Sequence, residues 1–374
     1  MIIKKHHIVC ICWLFSAYIY IYYNKSSAQT KYKIAIAAFY NCENFYDTLN
    51  DLLTNDDDFL PGSERHYNTE AYRCKLNNLA RVIAAIGTEA NPDGPAILGL
   101  AEVENKAVLE DIITHPLLQQ RHYRIIHYNS KDARGVDVAL LYNPVYFIPD
   151  SSGSLPVLIK GTAARAKDKQ ETTSEDVAED NFYYHSRDIL WVKGKLDGEA
   201  VHIYVNHWPS RLGGEARTAS ARRTAALLCK HHSDSLSKKY PQAKVLVMGD
   251  FNDDPVSPSI ARYLQAHADA DTIHPARLYN PWVRNYKKGD GTLAFRDAWG
   301  LFDQVIISSN WLLQQTDFYF YAAHVFKKEF MQENKGRYKG YPKRFWDGIQ
   351  ASGGFSDHFP VYIILLKKAA SQLP

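Results

Sequence analysis

KVLVMGDFNDDP, Lys244 to Pro255, runs apolar through Met248 and then sets Asp250, Asn252, Asp253 and Asp254 within five positions. The unbroken aliphatic run reads as a buried strand, and the polar knot that ends it marks the edge of a sheet. Crowded carboxylates repel, and taking one out of water costs several kcal/mol unless it is paired or bound to a cation. A chain that drives a core strand into such a knot therefore needs something there to hold the charge.

The same pattern recurs far away in the chain. Asn41 follows IAIAAFY, Glu102 follows AILGLA, Asp137 opens DVALLY and His207 follows VHIYVN. Asp303 opens DQVIIS, and Asp357 with His358 precedes FPVYIIL. The ends of adjacent strands meet at one edge of a sheet, so these side chains are expected to converge. Oxygen ligands such as Glu102, Asn41 and Asp357 suit a hard divalent ion, Mg²⁺ or Mn²⁺ with Ca²⁺ as a further choice, whereas no Cys or paired-His spacing for zinc appears. Singly, each has a plainer reading: Asn41 as a loop amide, Asp137 as a strand-end carboxylate, His207 and His358 as hydrogen-bonded structural histidines, Arg134 as a solvated charge. Asp253 and Asp254 before Pro255 read as turn residues. The joint pattern is what points to a site.

Composition agrees with a folded, catalytic-sized domain. The chain has 374 residues, 46% hydrophobic and 23% charged, which places it among globular rather than disordered proteins. Lys4 and Lys5, the apolar run Ile11 to Tyr23 and Ser26-Ser27-Ala28 read as a signal peptide over residues 1–28, with a retained membrane anchor as the competing reading. The expected product is an exported protein, periplasmic or secreted, with one domain over residues 29–374. Removing residues 1–28 takes away three lysines and no acids, so the formal charge falls from +3 to zero (3 − 3). Overall basicity thus argues for no partner. Three cysteines remain, Cys42, Cys74 and Cys229, too few for a disulfide scaffold although one bridge is open to them. Nine strand patterns alternate with helical ones around Leu76 to Ile86 and Ala216 to Cys229, giving a mixed α and β fold, and the polar stretch Gly161 to Asn181 reads as a surface loop.

In order along the chain, GLAEVEN (Gly99 to Asn105), RGVDVALLY (Arg134 to Tyr142), NHWPSR (Asn206 to Arg211), GDFND (Gly249 to Asp253), FDQVIIS (Phe302 to Ser308) and SDHFP (Ser356 to Pro360) resemble the endonuclease/exonuclease/phosphatase superfamily, the deoxyribonuclease-I-like proteins. FYNCENFYD, Phe39 to Asp47, resembles its first Asn-bearing strand. The resemblance implies an α+β fold, a four-layer α/β/β/α sandwich of two mostly antiparallel sheets flanked by helices. It implies metal-dependent phosphoester hydrolysis as well. Position by position, Glu102 would be the principal metal ligand with Asn41 and Asp357 assisting. Asp250 would activate water, Asn252 would hold a phosphate oxygen, and His358 supported by Asp303 would contact the phosphate. His207 would be the other phosphate-facing histidine, with Asp137 orienting it. Arg134, Asn206 and Arg211 are candidate substrate contacts in the same blocks.

Nucleic acid is the expected substrate, DNA or RNA, with the protein acting as a monomer. Arginines 211, 217, 222 and 223 are placed to reach phosphates, and KGRYKGYPKRFW, Lys335 to Trp346, interleaves cations with rings on which bases stack. A sphingomyelinase-like lipid phosphodiesterase is the alternative, marked by membrane-facing Trp282, Trp299 or Trp346, and a catalytically silent binding module is the minor one.

Overall fold

The structure, a computed structural model, describes residues 31–161, 182–269, 277–314 and 317–369. The expected signal peptide and nearly all of the expected Gly161 to Asn181 loop lie outside the described residues. The chain divides into a large unit, Ile34–Lys367, and a small one formed by its ends, Met1–Lys33 with Lys368–Pro374. Apart from Tyr32 and Lys33 at the start of one strand and Lys368 at the end of another, everything below belongs to the large unit.

Thirteen strands build its two large sheets: β1 Tyr32–Phe45, β2 Ile97–Val103, β3 Arg124–His127, β4 Asp137–Tyr142, β5 Phe147–Leu155, β6 Ile189–Leu196, β7 Glu199–His207, β8 Lys244–Asp250, β9 Ala266–His267, β10 Leu278–Tyr279, β11 Asp303–Ser308, β12 Tyr319–Val325 and β13 Val361–Lys368. Six form one sheet in the order β12-β13-β1-β2-β4-β3, and seven form the other in the order β9-β10-β11-β8-β7-β6-β5. Both are mixed: β1 runs parallel to β2 and β8 parallel to β7, while β8 with β11 and β2 with β4 are antiparallel.

Alternation of side chains across each strand creates three apolar layers. Between the sheets, Ala37, Phe39 and Ile97 meet Ile203, Val205, Met248 and Val305. On the outer face of the six-stranded sheet, Ile36, Ala38 and Leu98 pack under helices α1 Thr69–Ala85 and α2 Lys106–Thr114. On the outer face of the other, Tyr204, Val245 and Val247 pack under α3 Glu215–Lys239 through Ala221, Ala225 and Cys229. This is the expected α+β sandwich of four layers. The sheets approach closely at Gly99, where a Cβ would stand 2.7 Å from Met248 Sδ. Cys42, Cys74 and Cys229 are free thiols. No helix among the described residues is long and apolar enough to cross a membrane.

Candidate active site

Strand register brings the site together. On the seven-stranded sheet, Asp250 at the end of β8 is paired with His207 of β7 on one side and Asp303 of β11 on the other. Directly paired residues project to the same face of a sheet, so these three form one row across its edge. Gly249 permits the tight pairing, since a Cβ there would stand 2.3 Å from the Asn206 carbonyl oxygen. The six-stranded sheet supplies Asn41 and Glu102 from the parallel pair β1 and β2, whose register breaks between Asn41 and Phe45. Glu102 has φ +59°, and Glu43 and Asn44 have +51° and +53°, a region that non-glycine residues occupy at a cost of about 1–3 kcal/mol each. The distortion lets the Asn44 amide donate to Glu102 Oε2 at 2.8 Å and turns Oε1 toward the site.

The sheets are bridged at this edge by one amide. Asn41 Nδ2 donates to Asp250 Oδ2 at 3.0 Å and lies 3.4 Å from Glu102 Oε1. His207 Nε2 faces the same two oxygens, at 3.8 and 3.6 Å. Burial, reinforced by Arg187, Arg134 and His358, holds the His207 imidazole well below its usual pKa, hence neutral. His358 is the opposite case. Burial disfavours its charge, but Asp303 and Asp250 outweigh that and hold it well above the ordinary value. Its Nδ1 donates to Asp303 Oδ2 at 2.7 Å, and its Nε2 faces Asp250 Oδ2 at 3.9 Å. Asp250, 2% exposed, is pushed up to about 7 chiefly by burial.

Asp250 and Glu102 thus share a neutral amide and a neutral imidazole, the charge conflict that a divalent cation relieves. Oxygen donors of Glu102, Asp250 and Asn41 fit a hard ion. Donor atoms of Asp250, Asp303 and His358 also lie within 4.8 Å of one another. The short His358 to Asp303 bond already joins two members of that trio, which reads as a proton-holding relay rather than a ligand set. Asp357 stands beside it, Oδ1 3.9 Å from His358 Nε2 and Oδ2 bonded to Arg344 at 2.9 Å.

Other expected roles are corrected. Asp137 does not orient His207. It accepts from the Ser130 amide at 3.0 Å and stands 3.5 Å from His127 on the neighbouring strand, while His207 Nδ1 has no hydrogen-bond partner. Asn206 is fully buried and spends its side chain on the Met248 carbonyl and the Trp208 indole, which places it as a support beneath the site. Arg211 is a clamp on the GDFND turn, bonded to the Asn252 carbonyl and Asp253 at 2.8 and 2.9 Å and to Glu215. Arg222 is buried against Asp253 at 2.7 Å and so is not placed as expected for phosphate, while Arg223 is exposed and lies over Tyr263. Asp253 and Asp254 build the turn, Asp254 accepting from the Leu301 amide at 2.9 Å. Asn252 donates to the Trp208 carbonyl at 2.9 Å, leaving its second amide hydrogen. Arg134 is at the surface, 3.7 Å from Asp132. In the basic and aromatic stretch, Phe345 and Trp346 are core residues, as is Trp282, which removes two of the three tryptophans that would mark a lipid enzyme.

Sequence reading passed over the supports beneath this row. Glu43 accepts from the Phe345 and Trp346 amides at 2.6 and 3.2 Å, and Lys75, fully buried on α1, sits 4.5 Å over the Phe345 ring. Arg187 joins Asp132 at 3.3 Å to the Trp208 carbonyl at 3.0 Å. The only signal for Lys75 was its place among the apolar positions of a helical pattern.

Comparison with known proteins agrees with this fold. Among solved structures, an endonuclease/exonuclease/phosphatase family protein from Bacteroides thetaiotaomicron is 15% identical with TM-score 0.50, covering 91% of this chain and 100% of that one. A mannosyl-6-phosphatase from B. thetaiotaomicron VPI-5482 is 17% identical with TM-score 0.50, covering 88% and 99%. D. rerio TDP2 complexed with single-strand DNA product is 12% identical with TM-score 0.50, covering 89% and 99%. No curated protein sequence matches the chain. The model of the family described as "Endonuclease/Exonuclease/phosphatase family" matches residues 36–367, both sheets and every residue of the row included, and the chain therefore belongs to that family of phosphoester hydrolases.

Proposed function

We propose that this protein is a divalent-metal-dependent phosphodiesterase that cuts nucleic acid after export. The observation that carries the reading is the His207, Asp250, Asp303 row closed by Asn41, Glu102 and His358. Glu102 and Asn41, with Asp357 at the rim, would hold the ion, which when bound stabilises negative charge on the phosphoryl oxygens. Asp250, once ionised, accepts the proton of the attacking water. His358 Nε2 donates to a non-bridging oxygen while Asp303 keeps the ring protonated and oriented, and the free amide hydrogen of Asn252 is a second donor. His207, neutral, completes the polar wall without adding charge.

Support for nucleic acid comes from the likeness to D. rerio TDP2 holding single-strand DNA product. The likeness to a mannosyl-6-phosphatase favours a second reading, a sugar phosphomonoesterase. The test incubates the purified chain and Asp250→Ala with plasmid DNA, RNA, bis-p-nitrophenyl phosphate, mannose 6-phosphate and sphingomyelin, in Mg²⁺ or Mn²⁺ and in EDTA. Nicking of plasmid or RNA that needs metal and is lost in the variant is the expected result. Turnover of mannose 6-phosphate alone establishes the second reading, turnover of sphingomyelin alone a lipid enzyme, and turnover of nothing overturns all three.

A further inference from the structure

Beside the row lies a cavity of about 440 Å³ that none of the roles above uses. Its described lining holds four cations, Arg134, Lys160, Arg187 and Arg217, against one carboxylate, Asp132. That carboxylate is already spent on Arg187 at 3.3 Å and on the Arg134 amide at 3.1 Å. Lys160 is exposed and has no ion pair among the described residues. Three polar atoms in the lining are buried without a hydrogen-bond partner: Ser186 Oγ, His185 Nδ1 and Arg187 Nε. Ser186 is only 2% exposed and Arg187 8%. Buried polar atoms are paired in the great majority of cases, so three orphans in one cationic cavity point to a ligand that supplies acceptors.

The cavity is coupled to the row. The Trp208 carbonyl accepts from Arg187 at 3.0 Å, in the cavity wall, and from Asn252 at 2.9 Å, whose own backbone amide donates to Asp250 of the row. Pro209 and Ser210, the next two residues, line the cavity. Its volume falls in the range that holds a small ligand or one substituent of a larger one. Leu212 and Ile159 give it apolar wall, and Tyr184 a ring.

We propose that this cavity is a subsite for a second phosphate of the substrate, next to the phosphoester that is cut. Lys160 and Arg134 meet its charge from the rim, and Ser186 Oγ and Arg187 Nε donate to its oxygens. The proposal rests on the phosphoesterase reading above and deepens it: one substrate carries two phosphates, one at the row and one here. Such a substrate is either a nucleotide chain with a neighbouring or terminal phosphate or a small sugar bisphosphate.

The test is equilibrium binding in EDTA, where nothing is turned over. Calorimetry compares a thymidine dinucleotide with and without a 5′-phosphate, and a hexose bisphosphate with its monophosphate, on the full chain and on Lys160→Ala and Ser186→Ala. Charge-assisted bonds of this kind are worth roughly a ten-fold change in affinity or more. The added phosphate is expected to tighten binding about ten-fold in one of the two pairs, and either substitution to remove most of that gain. The pair that responds identifies the source of the phosphate. Ser186→Ala deletes a hydroxyl that has no partner, so its melting temperature is expected not to fall, and weak binding is then not misfolding. No gain in either pair, or a gain that survives both substitutions, overturns the subsite. A gain in a chain that hydrolyses nothing leaves the subsite standing and removes the catalytic reading, while hydrolysis without a gain does the reverse.

Discussion

Asp303 and His358 are fifty-five positions apart and share a 2.7 Å hydrogen bond in which the His358 ring is charged. Asp303 is fully buried, with its other oxygen unpaired, so its carboxylate is committed to this ring. Asp303→Asn leaves the shape but removes the charge that outweighs burial at His358. The expected result is a fall in kcat of about 10²–10³, the size of one lost oxyanion donor, with KM little changed because ground-state binding does not use that charge. Steady-state kinetics on bis-p-nitrophenyl phosphate measure the split. An equal rise in KM with kcat intact would assign the pair to binding instead.

Metal and proton compete for the same carboxylates. Asp250 is pushed from 3.8 up to about 7 by burial, and Glu43 and Glu104, also buried, to about 8. Each holds its proton in the folded chain at pH values where the unfolded chain has released it. Folded protein binds more protons between about pH 4 and 8, and stability falls as pH rises through that window. In EDTA the melting temperature is therefore expected to drop from about pH 5 to about pH 7.5. Mg²⁺ binds only the ionised site, so it raises the melting temperature at the higher pH and little at the lower. Asp250→Asn should lose that metal response. Equal Mg²⁺ stabilisation at both pH values would contradict the assignment.

Two arginines hold the GDFND turn, and burial separates their weights. Arg222 is 1% exposed and contacts Asp253 Oδ2 at 2.7 Å, while Arg211 is a quarter exposed and contacts Asp253 Oδ1 at 2.9 Å. Breaking a buried pair leaves an uncompensated charge and costs about 3–5 kcal/mol, and the cost falls as water reaches one partner, as it does at Arg211. Arg222→Ala is expected to lower the urea midpoint far more than Arg211→Ala. Equal shifts would show that Asp253 is carried by Ser259 and the turn itself.

The sandwich was legible because nine strands, eight of them interior to a sheet, announce themselves by unbroken or alternating apolar runs. Missed strands such as β5, FIPDSSGSL, and β12, YFYAAHV, sit at sheet edges, where water satisfies one side and apolar patterning is not demanded. The row itself was legible at Asn41, Glu102, His207, Asp250, Asp303 and His358, since polar residues ending core strands have few plain uses. Misplaced expectations share one cause. Asp137, Asn206, Arg211 and Arg222 carry the right chemistry, but neighbours in space consume it, and a linear pattern does not show which neighbours those are. His127, on an edge strand of the other sheet from His207, was no part of the pattern that suggested Asp137.

His202 is a liability of the fold rather than a part of the site. It is 2% exposed on β7, both ring nitrogens lack partners, and burial, then Lys193 and His232, lowers it from 6.5 to about 4. The unfolded ring gains its proton near 6.5, the folded one not until about 4. Unfolded chain thus binds more protons in that window, and stability is lost as pH falls through it. His202→Phe removes the titration and two unpaired polar atoms, and keeps an aromatic ring against Tyr240, whose centroid is 5.7 Å away. The melting temperature of the variant is expected to rise, with the largest gain over the parent near pH 5. His207, lowered in the same sense, still resists protonation in the folded variant. A variant that melts lower than the parent at every pH would show that the ring is held by packing that phenylalanine does not reproduce.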